Sequence, residues 1–150
     1  MRLQLFCRSA EPVEAEDVTT LALMGEFFAD WPDVRIEGES EGIGWSAIHF
    51  TYDTERAPVT VRRVELESAM RTAWRLRARG VSERTVARVA EARTVLELET
   101  GRDLTAEAEE LVEALSAGLA THFDGLIHRA DGVGRSDAEP ELLNGCLLPV

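Results

Sequence analysis

Residues 45–52 read Trp-Ser-Ala-Ile-His-Phe-Thr-Tyr and form the clearest strand pattern in the chain. Ile48, Phe50 and Tyr52 fall on one face at two-residue spacing, while Trp45 and Ala47 fall on the opposite face. Apolar side chains on both faces are typical of a strand inside a sheet that is covered on both sides. The segment therefore predicts a central strand.

Two more strands flank this one along the chain. Residues 34–39 and 59–64 are rich in residues that favour strands, and turn formers separate the three segments. The separators are Gly42 and Gly44 on one side and the loop 53–58 on the other. Three consecutive strands are thus expected.

The remaining elements follow from alternation, helical spacing and capping residues. Before the three strands come a strand through Leu3, Leu5 and Cys7 and a helix from Pro12 to Trp31. After them come a helix from Leu66 to Gly80, a short helix capped by Ser82, a strand over 94–100, a helix capped by Thr105, a strand over 125–128 and an Asn-Gly hairpin over 142–148. The helix capped by Thr105 has an apolar stripe of Ala108, Leu111, Leu115, Leu119 and Phe123. The order predicts a single α+β domain over residues 1–150, with a mixed or antiparallel sheet of about five to seven strands covered by three to four helices.

The helix from Leu66 to Gly80 has two distinct sides. The two sides predict an amphipathic helix, and Trp74 on its apolar side is expected to be a core or interface anchor. The apolar side consists of Leu66, Met70, Ala73 and Trp74, and the basic side of Arg71, Arg75 and Arg79.

Charge is distributed unevenly along the chain. The 150 residues carry a net charge of −12, yet residues 56–93 hold ten of the sixteen arginines and only four acids. This segment is +6, and the segments before and after it are −9 each. Such an asymmetry bears on partners or on internal ion pairs rather than on the fold.

Residues 72–93, TAWRLRARGVSERTVARVAEAR, partly resemble the helix-turn-helix motif of bacterial DNA-binding proteins. The matching residues are Gly80, Val81, Ser82, Thr85, Val86 and Val89. The resemblance implies that Glu83, Arg84, Thr85 and Arg88 face the major groove, and that Arg71, Arg75 and Arg79 contact phosphates. The segment departs from the motif at Arg75 and Arg79, which stand at positions where the first helix usually has apolar residues.

The competing interpretation is a helical hairpin whose arginines lie over carboxylates of the acidic flanks. The sequence favours this interpretation, because DNA binding depends on neutralising phosphates and the −9 flanks oppose the approach of a polyanion. Nucleic-acid binding through Arg71, Arg75, Arg79, Arg84, Thr85 and Arg88 is thus the alternative hypothesis.

No catalytic, metal or cofactor motif is found in the sequence. His49, His122 and His128 are scattered without zinc-ligand spacing, and the glycines from Gly38 to Gly44 do not form a phosphate-binding loop. His49 is expected to be a half-buried structural residue, and a catalytic pair of His128 with Asp124 or Asp131 lacks an accompanying nucleophile motif. We therefore expect no enzymatic activity, no metal and no cofactor.

Cysteine content and hydropathy bear on the compartment. Cys7 and Cys146 are interpreted as buried free thiols of a cytoplasmic protein, and no window approaches the length of a membrane span. Together these features predict a small acidic interaction or accessory protein, chaperone-like or inhibitor-like. Its acidic flanks favour a basic protein partner. Its apolar end, residues 147–150, favours either a homodimer or closure of the monomer's own core.

Overall fold

The computed structural model describes residues 1–24, 35–40, 44–53, 55–102 and 105–129, and the backbone of 142–144. The strands are β1 (Arg2–Cys7), β2 (Arg35–Ser40), β3 (Trp45–Thr51), β4 (Val59–Val64), β5 (Thr94–Glu99), β6 (Gly125–Arg129) and β7 (Leu142–Asn144). The helices are α1 (Ala15–Met24), α2 (Glu67–Ala78), α3 (Glu83–Ala90) and α4 (Ala106–His122).

The strands of the described part form one sheet in the order β2-β3-β4-β5-β1-β6-β7. Every neighbouring pair is antiparallel, so the sheet is antiparallel rather than mixed. β1 lies between β5 and β6, where Leu5 is opposite Leu96 on one side and Ile127 on the other. The predicted α+β class is confirmed, including the number of strands and helices.

One face of the sheet packs against α1 and α4 and holds the larger apolar cluster. The predicted stripe of α4 is buried there, and the Thr105 side chain accepts a hydrogen bond from the Ala108 amide at 3.2 Å, as expected for the capping residue. The strands and helices contribute Leu3, Leu5, Ile48, Phe50, Val59, Val61, Leu96, Leu98, Ile127, Val18, Ala22, Leu111, Leu115 and Leu119.

Trp45 belongs to this same cluster, so its predicted position on the opposite face from Ile48 is wrong. The pairing of β2 with β3 shifts between Glu39 and Ser40, because Ala47 is opposite Glu39 while Trp45 is opposite Ser40. One extra residue in a strand reverses the faces of the side chains beyond it. The Trp45 indole therefore turns toward this core and donates a hydrogen bond to the Val13 carbonyl at 2.9 Å.

The first helix begins at Ala15, three residues after the predicted start at Pro12. The Asp17 carboxylate accepts a hydrogen bond from the Glu14 amide at 2.8 Å, which satisfies a backbone donor just before the first turn. Acidic residues in that turn also interact favourably with the helix dipole. The predicted extension to Trp31 lies outside the described residues.

The other face of the sheet carries α2 and α3 over a smaller apolar cluster. The sheet contributes Phe6, Val95 and Leu126, and the helices contribute Ala69, Ala73, Leu76, Val86 and Val89. On the predicted apolar side of this helix only Ala73 is buried, whereas Leu66, Met70 and Trp74 are exposed. The side of α2 that faces the sheet therefore consists of Ala69, Ala73 and Leu76.

Three other predictions lie wholly or partly outside the described residues. They concern Gly42, Asp131, and the hairpin beyond Asn144, which includes Cys146. The first half of the predicted hairpin is present as β7, which pairs with residues 126–128 of β6. In the described part of the chain, no helix combines the length and apolar character needed to cross a membrane.

Candidate functional site

The second helix, α2, forms because residues 67–78 are mostly good helix formers such as Ala, Arg, Leu and Met. The helix ends at Ala78, and Gly80 in the turn that follows has a φ of 78°, a left-handed conformation that favours glycine. Ser82 then caps α3, since its side chain accepts a hydrogen bond from the Thr85 amide at 3.4 Å. The predicted helix–turn–helix order is present, with a four-residue turn between the helices.

Three large apolar side chains project from α2 into solvent. Leu66 at its N-cap is 51% exposed, Met70 is 59% exposed and Trp74 is 72% exposed. Their spacing of four residues places them in a row along one side of the helix, here called the apolar ridge. The ridge comprises three of the six large hydrophobic residues that are exposed in the described part of the chain. Such a contiguous set, unlike single exposed residues, marks an interaction site.

Charged residues lie directly beside the apolar ridge. Glu67, Arg71 and Arg75 form the neighbouring row at the same spacing, and all three are exposed. Within the described residues, Arg71, Arg75, Arg79 and Arg84 have no carboxylate within 4.0 Å, whereas Arg77 pairs with Glu83 at 3.2 Å. The exposed surface of α2 therefore combines an apolar row with available positive charge.

The residues predicted to bind DNA divide into two groups. Arg71, Arg75, Arg79 and Arg84 are exposed, as DNA binding requires. Thr85 is half-buried, and its hydroxyl oxygen accepts a hydrogen bond from the Ser82 hydroxyl at 3.0 Å. The structure thus does not bring all six residues together on one open surface.

Arg88 points away from solvent toward Asp124, and the distance from its Nη2 to the carboxylate is 3.6 Å. Its side chain is only 19% exposed, and its buried Nε has no hydrogen-bond partner among the described residues. Arg88 therefore belongs to the junction between α3 and the start of β6. Arg88 is thus separated from the exposed arginines at positions 71, 75, 79 and 84.

Among the described residues, the hypothesis that flanking carboxylates cover the basic segment holds for two arginines. Arg88 pairs with Asp124, and Arg56 pairs with Asp53 at 3.4 Å. In the described part of the chain it does not hold for the exposed arginines of α2. These arginines are exposed, whereas the inner side of α2 packs against the sheet.

His128 lies in β6 near the C-terminal part of α2. Burial lowers the pKa of His128, and the positive charges of Arg79 and Arg75 lower it further. Its Nδ1 is 3.3 Å from the Gln4 Oε1, while the Asp124 carboxylate is 2.9 Å from the Arg8 Nη2. The hypothetical catalytic pair of His128 with Asp124 is therefore not formed, and Asp131 lies outside the described residues.

A second polar cluster lies across three strands of the sheet. The Nδ1 of His49 is 2.9 Å from the Thr60 hydroxyl oxygen, and its Nε2 is 3.2 Å from the Glu39 Oε1. His49 is half-buried, as predicted, and it links β2 to β4 across its own strand β3. This arrangement satisfies the polar atoms of buried Thr60 and supports a structural role.

The described residues also bear on metal binding and on thiol chemistry. Among the described residues, no group of three or more His, Cys, Asp or Glu side chains could hold a metal ion. Cys7 is a buried free thiol, and burial with a smaller effect of the Asp124 charge raises its pKa to about 12. At neutral pH this thiol is protonated and a poor nucleophile.

The sequence pattern places Leu66, Met70 and Trp74 on one side of α2, but it does not indicate that this side is exposed. The signal that could have revealed it is a second row on the same helix, formed by Ala69, Thr72, Ala73 and Leu76. Both rows have helical spacing, and only the space above the sheet determines which one is buried.

Comparisons with protein-family models, with curated proteins and with solved structures find no match to this chain. The exposed surface of α2 is therefore the main ground for a functional proposal.

Proposed function

We propose that this protein is a non-catalytic cytoplasmic interaction or accessory protein that binds a protein partner through the apolar ridge of α2. The observation that supports this proposal is the exposure of Leu66, Met70 and Trp74 in one row on a regular helix. Amphipathic helices bind grooves or other helices through anchors at this spacing. The ridge is the part of the described surface best suited to contact another polypeptide.

The energetics favour burial of the ridge by a partner. Burying a side chain such as Leu or Met completely contributes about 1.5–3 kcal/mol. Trp is enriched among the residues that dominate binding energy at protein interfaces. Trp74 is 72% exposed and can bury most of its surface only in a complex or an assembly.

The charges beside the ridge specify the partner more closely than the net charge does. The acidic flanks favour a basic partner at long range, but the ridge itself lies in the +6 segment. A surface that covers the ridge also approaches Arg71 and Arg75. The contact surface of the partner is therefore expected to combine apolar side chains with carboxylates.

Photo-crosslinking tests this proposal. A photoreactive amino acid is placed at Met70 or Trp74 in cells that produce the protein, and at Glu113 on the exposed side of α4 as the matched control. We expect discrete covalent adducts with a protein from positions 70 and 74 but not from position 113. Adducts of equal yield from all three positions, or no adduct from the ridge, would contradict the proposal.

DNA binding is the second candidate function, and a specific observation favours it. Arg71, Arg75, Arg79 and Arg84 are exposed and have no carboxylate within 4.0 Å in the described part of the chain. Duplex DNA binding through these arginines would weaken steeply with salt, because each neutralised phosphate releases counterions. Leu66 and Met70 would remain exposed in such a complex, which makes this candidate the weaker one.

A binding assay with labelled duplex DNA over a salt series tests the second candidate. The variant with Arg75→Glu and Arg84→Glu should then lose DNA retention, while the control Arg102→Glu, at an exposed arginine outside α2 and α3, should keep it. Equal retention by both variants, or none by the wild type at low salt, would exclude these arginines as a DNA-binding surface.

A further inference from the structure

We infer that the apolar ridge binds the same ridge on a second copy of this chain, so that the protein forms a two-fold symmetric homodimer through α2. The inference rests on the proposed function, because it names the partner of the same surface. It also moves the predicted dimer contact from the apolar end of the chain, residues 147–150, to a helix in the middle of the sequence.

The ridge has the self-complementary shape that a two-fold axis requires. Met70 stands at its centre, with Leu66 four residues before it and Trp74 four residues after it. An axis through Met70 places two α2 helices antiparallel and brings each Trp74 to the Leu66 of the second copy. Rows of this spacing pack into each other at a crossing angle of about −50°, the commonest arrangement of two helices.

The charges beside the ridge complement each other in the same arrangement. Glu67 and Arg71 are both exposed, and within the described residues neither is within 4.0 Å of an opposite charge. The two-fold axis places each Glu67 near the Arg71 of the second copy, which forms two equivalent ion pairs. A parallel arrangement would place the two rows of charged residues on opposite sides of the contact, where Glu67 and Arg71 could not pair across it.

The ends of α2 favour the antiparallel arrangement as well. Glu65 and Glu67 lie at its N-terminal end, and Arg75, Arg77 and Arg79 lie at its C-terminal end. Antiparallel helices bring the acidic end of one copy toward the basic end of the other, and they also align the helix dipoles favourably. A nucleic acid has no apolar surface that would bury Leu66 and Met70 in this way.

The size of the surface determines how strong the dimer is. A stable dimer buries roughly 800 Å² on each partner, and three side chains of one helix supply only part of that area. Each chain also carries a net charge of −12, which opposes association at low salt. The dimer is therefore expected to be weak, so that its population depends on protein concentration. Added salt should not dissociate the dimer, whereas it would dissociate a DNA complex.

Analytical ultracentrifugation of the whole chain, over concentrations from about 5 to 500 µM, tests the inference. We expect the mass to rise from that of the 16.6 kDa monomer toward twice this value. Trp74→Glu should remain monomeric throughout. Leu23→Glu is the matched control, because Leu23 is a comparably exposed apolar residue of α1, outside the ridge.

A charge exchange distinguishes this dimer from other contacts on the same helix. Glu67→Arg and Arg71→Glu should each weaken dimerisation roughly five- to tenfold, since each removes two exposed ion pairs. The double variant that combines both substitutions should restore most of the wild-type affinity. All these positions are exposed, and thermal unfolding of each variant verifies that it folds.

Several results would overturn the homodimer. They are a monomer at every concentration, a dimer that persists in Trp74→Glu, and a double charge variant as weak as the single ones. A monomer whose ridge still crosslinks to a different protein would overturn the homodimer while leaving the proposed function intact. A monomer without ridge adducts would overturn both.

Discussion

His128 has an environment that opposes its protonation from several directions. Its ring lies near the Phe6 ring, with 6.2 Å between the centroids, and its Nδ1 faces the Gln4 amide oxygen. Burial lowers its pKa most, followed by the charges of Arg79 and Arg75. The positive charge of α2 that is available to a partner thus also acts on the sheet beneath it.

A test of this coupling measures both the pKa of His128 and the pH dependence of stability. An ordinary histidine of the unfolded chain has a pKa of about 6.5. Because the folded pKa is lower, the unfolded state binds more protons as the pH falls below about 6.5, so acidification through that window should destabilise the fold. His128→Gln should flatten this dependence, as measured by denaturant unfolding at a series of pH values.

Replacing Arg75 and Arg79 by Gln should raise the pKa of His128 part of the way back, because burial remains. An NMR titration of the ring protons measures this shift, and His122, exposed at the end of α4, is the internal control. A folded pKa of His128 at or above its ordinary value would contradict the structural assignment.

At the scale of elements, the junction between α4 and β6 depends on Gly125. A Cβ atom at this position would lie 2.9 Å from the Ala120 Cα and 3.3 Å from the Cys7 Sγ. The backbone of α4 cannot move away without disturbing the core, because the helix is anchored by Leu111, Leu115 and Leu119. Gly125 thus permits close contact between this helix and the sheet.

Gly125→Ala is expected to lower the free energy of unfolding by about 2 kcal/mol, a typical cost of overpacking. Gly38→Ala in the edge strand β2 is the control, because an added Cβ there has no heavy atom within 4 Å. Urea unfolding of the two variants measures the difference. Equal urea midpoints for the two variants would mean that α4 can move to accommodate the added Cβ atom at position 125.

At the scale of the whole molecule, charge is the dominant feature. The net charge of −12 destabilises the compact state by self-repulsion, and salt screens this repulsion. We therefore expect the Tm to rise as the NaCl concentration increases from about 0.01 to 0.5 M. Salt also weakens the exposed ion pairs, but these contribute little to stability and their loss should lower the Tm only slightly.

Neutralising acids on the exposed side of α4 tests that explanation. The variant with Glu110→Gln and Glu113→Gln should respond less to salt than the wild type, because its net charge is smaller. A variant with Arg71→Gln and Arg75→Gln carries a larger negative charge and should respond more. The same salt response in all three proteins would show that self-repulsion is not its source.

The α+β class, the order of the elements and the core-facing stripe of α4 could be predicted from residue patterns alone. Such patterns are local, since strand alternation and helical spacing need only neighbouring residues. The cap at Thr105, the cap at Ser82 and the turn at Gly80 depend on contacts within a few residues, and they were predicted for the same reason.

The candidate site depended on contacts between residues far apart in sequence. Whether α2 buries Ala69 and Ala73 or Met70 and Trp74 depends on the space that Phe6, Val95 and Leu126 leave above the sheet. The direction of Arg88 likewise depends on Asp124, thirty-six residues later. The sequence by itself determined which segments become helices and strands and how charge is distributed among them. Only the tertiary structure decided which side of α2 faces solvent, because that side is whatever the packing of the sheet leaves uncovered.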